Sequence, residues 1–270
     1  MNDPRTATCV ACGKQAPRDD MFGADPELLC EACAHRLRER LTPKATGRLA
    51  SVFAGRPTPV TVAILAVSAA LFVAEYVVYK GNWKLYPDWL WMLMPAGPTG
   101  SIVTGEWWRL ITTALLHGGF IHILFNSLWI WALGRAVEGT RGSLLFLLIF
   151  LGSAAFASAA QLYFGRGAGV GLSGVLYALA GYLWMRRGED AVAASVMNPG
   201  TSRMLGAWLV ICFFLPMGIA NGAHVGGLVW GLAAGWVSTQ TGSRRAGGMA
   251  ALAILTIAAA AWVTTGHHLP

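Results

Sequence analysis

The chain has 270 residues, 55% of them hydrophobic and 12% charged, with a formal net charge of +7. Soluble domains carry roughly 25% charged residues, so this apolar excess excludes a single soluble core and reads as an integral membrane protein. The positive charge does not point to nucleic acid, because nine of the 20 Lys and Arg precede residue 57 and the rest fall mainly between apolar runs, as in membrane orientation.

Residues 1–40 are polar, hold four of the five cysteines, and show no cleavable signal peptide. Cys9-x-x-Cys12 and Cys30-x-x-Cys33 are separated by 17 residues, the spacing of a structural zinc site in which two turns each present two thiolates. Redox thiols and an iron centre are the alternatives. A reducing cytoplasmic setting disfavours disulfides. Four cysteines close the site and leave His35 no evident role, so the metal is expected to fold a small module and take no part in catalysis. Residues 41–59 contain Pro43, Gly47, Gly55, Pro57 and Pro59 among basic residues and read as a linker. Arg36, Arg38, Arg40, Lys44 and Arg48 would lie beside anionic lipid head groups. No groove-reading motif accompanies them, and nucleic acid is not an expected partner.

Beyond residue 60, apolar segments predict helices near 60–79, 112–134, 143–163, 171–186, 204–219, 223–240 and 247–265. The first six form a bundle over residues 60–240, and 241–270 adds a seventh, Ala-rich helix. With a cytoplasmic N-terminus, the inside loops carry Arg135 and Arg141, then Arg186, Arg187 and Arg203, then Arg244 and Arg245. The outside segments carry Lys80, Lys84 and Arg109 in one long loop and Arg166 in the next. Short, positively charged inside loops favour N-in, C-out with seven spans.

Four polar residues stand out in these segments: His122 and Asn126 in the second, Ser173 in the fourth and His224 in the sixth. Ser173 and His122 each precede a boundary arginine (Arg186 and Arg135) by 13 residues, roughly 20 Å of helix. His224 lies about 22 Å above its own boundary by the same rise. All three reach one level between the outer surface and the midplane, which permits contact without requiring it.

A serine needs a base to become a nucleophile, and the oxyanion formed on an amide needs donors. His122 and Asn126, spaced i, i+4, share a face and can both donate. Gly171-Leu172-Ser173-Gly174 allows a helix start with free main-chain N–H groups beside the serine. Tyr177 shares the Ser173 face, and small residues (Gly174, Ala178 and Gly181 on the fourth segment; Gly222, Gly226, Gly227, Gly231 and Gly235 on the sixth) let helix backbones approach closely. Each residue alone has a plainer reading: a serine bonded to its own backbone, a structural histidine, an asparagine joining helices, aromatic residues such as Phe125 and Trp129 as packing. Their combination at one depth favours catalysis. Cys212 reads as an apolar packing residue.

Glu106-Trp107-Trp108-Arg109, His117-Gly-Gly-Phe-Ile-His122-Ile-Leu-Phe-Asn126, Gly171-Leu-Ser173-Gly-Val-Leu-Tyr177 and Ala220-Asn-Gly-Ala-His224-Val-Gly-Gly resemble, in that order, the rhomboid family of intramembrane serine proteases. The resemblance implies a Ser173–His224 dyad with no acidic third member, and an oxyanion held by His122, Asn126 and main-chain N–H groups. It also implies that Gly171 and Tyr177 support the site, that Arg109 belongs to a partly embedded loop, that His117 lies near the site, and that Trp208 lies at a lateral substrate gate. Substrates would be membrane proteins cut in or beside a transmembrane helix, in a bacterial inner membrane. Two rivals are a catalytically silent relative that binds membrane helices, against which the intact Ser and His speak, and a transporter, whose internal repeats are not found.

Overall fold

A computed structural model describes residues 6–23, 28–35, 57–98, 100–165, 167–215 and 218–265. The chain divides into two compact units, Met1–Ala54 and Gly55–Pro270. The predicted linker falls outside the described residues up to residue 56, as do Arg36, Arg38, Arg40, Lys44 and Arg48.

The first unit holds two antiparallel hairpins, β1 (Thr6–Thr8) with β2 (Gln15–Pro17) and β3 (Met21–Phe22) with β4 (Leu29–Cys30). Among the described residues its core is formed by buried Cys9, Cys30 and Cys33, flanked by Met21 and Leu29.

The second unit is a helical bundle. Its long helices are α1 (Pro59–Phe72, running on through a π turn, Val73–Val78), α2 (Phe120–Trp129, continuing through a π turn to Arg141), α3 (Ser143–Phe164), α4 (Ser173–Arg186), α5 (Pro199–Cys212), α6 (Asn221–Thr239) and α7 (Gly242–Thr264). All seven predicted helices are present, but not all are spans by length and composition. Among the described residues four are: Pro59–Val78, Phe120–Arg141, Ser143–Phe164 and Gly242–Thr264. Helices α4 and α5 have 14 residues each, about 21 Å against a hydrocarbon core of about 30 Å. Helix α2 begins at Phe120 and not near 112, because the Gly118-Gly119 pair interrupts the apolar run and residues 113–115 form a separate 3-10 turn.

The loop from α1 to α2 is ordered by buried Arg109. Its Nε donates to Glu106 Oε2 at 2.8 Å and its Nη1 donates to the carbonyls of Trp91 and Met94. At the opposite end of the bundle Glu138 substitutes for a missing cap on α1. Its carboxylate accepts from the N–H groups of Val60 (2.9 Å) and Thr61 (2.7 Å), from Thr61 Oγ1 and from Ser143 Oγ. Those first-turn donors have no partner within their own helix, so Glu138 joins α1, α2 and α3.

Helices α4 and α6 touch backbone to backbone. A Cβ on Gly227 would overlap the Gly174 carbonyl, one on Gly231 the Ala178 carbonyl, and one on Gly235 would stand 2.8 Å from the Tyr182 oxygen. Glycine one turn apart therefore forms a continuous seam. Arg186 closes its far end, donating from Nη1 to the Ser238 carbonyl and hydroxyl, each at 3.0 Å. Gly231→Val is expected to lower stability by about 1–3 kcal/mol, the usual cost of overpacking. A denaturant or thermal melt of the purified protein in detergent checks this, and an unchanged midpoint would contradict the seam.

Candidate active site

The seam brings Ser173, the first residue of α4, to His224, in the first turn of α6. His224 Nε2 lies 2.8 Å from Ser173 Oγ. With Nε2 accepting the hydroxyl proton, the ring carries its own proton on Nδ1, and this buried nitrogen has no acidic partner among the described residues. The Tyr177 ring packs against the imidazole, with centroids 5.0 Å apart, and its hydroxyl donates to the Leu205 carbonyl of α5 at 3.1 Å. His224 is thus held by packing on one face and by the serine at one nitrogen.

His122 and Asn126 lie on α2, which starts two residues before His122, so the histidine stands in a first turn rather than in mid-helix. Gly118 N–H donates to His122 Nδ1 at 3.4 Å, which leaves the proton of a neutral ring on Nε2. That nitrogen and Asn126 Nδ2 both point at Gly171, two residues before the serine. A Cβ on Gly171 would stand 2.7 Å from His122 Nε2 and 3.2 Å from Asn126 Nδ2. Gly171 also has φ +111°, a region that L side chains rarely adopt. Both side-chain donors therefore face the start of α4, whose first N–H groups have no acceptor in their own helix.

Three helix N-termini (α2, α4 and α6) thus converge, each presenting the positive end of its dipole. Developing negative charge at this point meets two side-chain donors and main-chain N–H groups already in place, the arrangement that stabilises an oxyanion.

Further residues brace the site that the apolar pattern alone did not reveal. Gln161, near the end of α3, donates from Nε2 to the Gly167 carbonyl, and its Oε1 accepts the Ala223 N–H, both at 3.2 Å. It links the loop before Ser173 to the residue before His224. The signal in the sequence was a polar side chain within an apolar run, a feature shared by Glu75 and Glu138. Buried His117 packs its ring edge on His122 with centroids 5.1 Å apart. Trp208 is 51% exposed on α5, which buries only Leu205 and Cys212. A mostly apolar cavity of about 1070 Å³ lies between α3, α6 and α7 and includes neither Ser173 nor His224.

In the N-terminal unit, the sulfur atoms of Cys9, Cys12, Cys30 and Cys33 all lie within 4.8 Å of one another. Cys12 Sγ and Cys30 Sγ are 3.7 Å apart, too far for a disulfide and close to the roughly 3.8 Å edge of a tetrahedron with metal–sulfur bonds of about 2.3 Å. Main-chain hydrogen bonding from Cys30 pulls the Cys9 thiol down to about 6. The hydrogen bond with the Cys12 side chain and burial push Cys33 up to about 12. These four residues can hold a metal ion, which would bind all four sulfurs as thiolates.

Comparison with known proteins gives a match to the family model described as Rhomboid domain over residues 104–241. Two Klebsiella pneumoniae proteins named Rhomboid protease GlpG, one from subspecies pneumoniae and one from strain 342, are each 38% identical over 190 residues. That alignment covers 70% of this chain and 66% of each relative, just under two thirds of their length. The matched segment contains Arg109, His122, Asn126, Ser173 and His224; the four cysteines precede it.

Proposed function

Since the chain belongs to the rhomboid family, we propose that it is an intramembrane serine endopeptidase that cuts membrane proteins in or next to a transmembrane helix, with Ser173 as nucleophile and His224 as base. The observation that carries this reading is the 2.8 Å contact between Ser173 Oγ and His224 Nε2, beside two donors aimed at the start of α4. In the proposed reaction, Ser173 Oγ attacks the scissile carbonyl carbon while its proton passes to His224 Nε2. The oxyanion is held by His122 Nε2–H, Asn126 Nδ2–H and a main-chain N–H at Ser173. His224 then protonates the leaving amine, and water, activated by the same imidazole, hydrolyses the acyl-enzyme. No metal takes part. A catalytically silent helix-binding scaffold would have no use for this arrangement.

The protein is an integral multi-pass membrane protein. We place its N-terminus on the cytoplasmic side of a bacterial inner membrane, because Arg141, Arg186, Arg187 and Arg203 gather at the end of α4 opposite Ser173. The site then opens to the outer face. The proposed organisation is a metal-binding module over 1–40, a linker over 41–59, the protease core over 60–240 and an additional helix over 241–270.

The test is cleavage by the purified full chain of a single-span protein with helix-weakening residues in its span. Two fragments cut in or beside that span are expected. An intact substrate, with a Ser173 that no fluorophosphonate labels, overturns the reading.

For the cysteine cluster we propose zinc: four thiolates at tetrahedral spacing suit it, and the closed set leaves it a structural role. About one zinc per chain is expected by elemental analysis, lost in Cys9→Ser/Cys12→Ser. Iron in the preparation, or metal retained by the variant, would contradict this.

A further inference from the structure

Helix α4 ends at Arg186, the end remote from Ser173. From there the chain returns through Arg187 and a short helix, Ala191–Val196, to the start of α5 at Pro199. A recess of about 410 Å³ lies in this turn. Trp184, Ala194, Met197 and Pro199 give it an apolar wall, and Arg187, Asn198, Ser202 and Arg203 complete the lining.

Two of the four polar groups are already engaged. Asn198 Oδ1 accepts from the N–H groups of Gly200 and Thr201 and its Nδ2 donates to the Ser195 carbonyl, while Ser202 Oγ donates to the Met197 carbonyl. The guanidinium groups keep donors to spare. Arg187 sits over the Trp184 ring, its central carbon 3.2 Å from the ring centroid, which engages the guanidinium face and leaves its N–H edge. Arg203 gives Nε to the Pro199 carbonyl at 3.1 Å and keeps both Nη groups. The two acids of the turn are committed elsewhere: Asp190 pairs with Arg141 at 2.9 Å and Glu189 with Arg186 at 3.3 Å. Among the described residues no carboxylate therefore neutralises Arg187 or Arg203, and two positive charges stand beside an apolar wall.

We propose that this recess binds an anionic phospholipid, with Arg187 and Arg203 on its phosphate and its glycerol and first methylenes against Trp184, Ala194 and Met197. Guanidinium groups match phosphate oxygens with paired donors, and basic pockets between helix ends at the membrane surface suit anionic head groups. Inorganic phosphate would use the arginines and leave the apolar wall bare. A zwitterionic head group would bring an ammonium that no carboxylate of the lining can receive. Phosphatidylglycerol should thus bind in preference to phosphatidylcholine.

The test is native mass spectrometry of the full chain in neutral detergent, titrated with dioleoyl phosphatidylglycerol or dioleoyl phosphatidylcholine. The tightest binding event is expected for phosphatidylglycerol, undisturbed by millimolar inorganic phosphate. Arg187→Gln/Arg203→Gln should weaken it roughly thirtyfold, the worth of two basic side chains at an anionic surface. Arg244→Gln/Arg245→Gln, which removes the same charge from the start of α7, should leave it unchanged. If the first double variant does not fold, Arg203→Gln alone should weaken binding about fivefold. Equal affinity for the two lipids, or equal loss in the two double variants, overturns the proposal in favour of diffuse surface charge. Displacement of the lipid by phosphate overturns it in favour of a simple anion site.

Discussion

Ser173→Ala and His224→Ala are each expected to lower the cleavage rate by on the order of 10⁴-fold or more, and the double variant to be no slower than the worse single one. The reason is that the two side chains perform one act. Ser173 Oγ becomes a nucleophile only as its proton moves to His224 Nε2, 2.8 Å away. Without the imidazole the hydroxyl stays protonated; without the hydroxyl the imidazole has nothing to activate. Losses from such a unit are strongly non-additive. Initial rates on one single-span substrate, with all three variants at matched concentration and confirmed folding, check the expectation. Multiplying losses would mean that the residues act separately. Full activity in either single variant would remove that residue from the chemistry. Labelling of Ser173 by a fluorophosphonate should fall in parallel in His224→Ala, because it uses the same nucleophile.

The second large effect is expected at the donors. His122→Ala and Asn126→Ala should each lower kcat by about 10²- to 10³-fold, as removal of one oxyanion donor does elsewhere, with KM little changed. The split follows from geometry. Both donors face Gly171 and the start of α4, where negative charge exists only after attack, so they favour the transition state over bound substrate. A rise in KM at constant kcat would instead make them substrate-binding groups. Gly171→Ala should resemble these variants, because its Cβ would enter the space that the His122 and Asn126 nitrogens occupy.

The residues of the candidate site were legible because each departs from its surroundings in kind. A serine flanked by glycines, two histidines and an asparagine are conspicuous in segments otherwise apolar, and paired cysteines at fixed spacing are conspicuous in any sequence. Equal helix depth predicted that Ser173 and His224 share a level, and the structure brings them together. Helix starts were less legible. The apolar run across residues 112–134 concealed the break at Gly118-Gly119, so His122 was expected in mid-helix although it stands in a first turn. That difference puts a third helix N-terminus at the site.

Residues that act through a distant partner escaped notice for a common reason. Glu138 and Gln161 are polar groups in apolar runs, but their meaning lies in the main-chain atoms they meet, at Val60 and Thr61 and at Gly167 and Ala223. Hydropathy marks such a group as expensive without saying what offsets the cost.

The amino-acid sequence by itself determined the membrane class, the seven long helices and the chemical groups available for the reaction, because hydropathy and functional-group chemistry belong to each residue. Only the tertiary structure decided the 2.8 Å approach of Ser173 to His224, the aim of His122 and Asn126 and the clustering of four sulfurs. Those depend on which backbones touch, and a seam such as that of Gly227 and Gly231 against Gly174 and Ala178 is a property of two packed surfaces rather than of either strip of sequence.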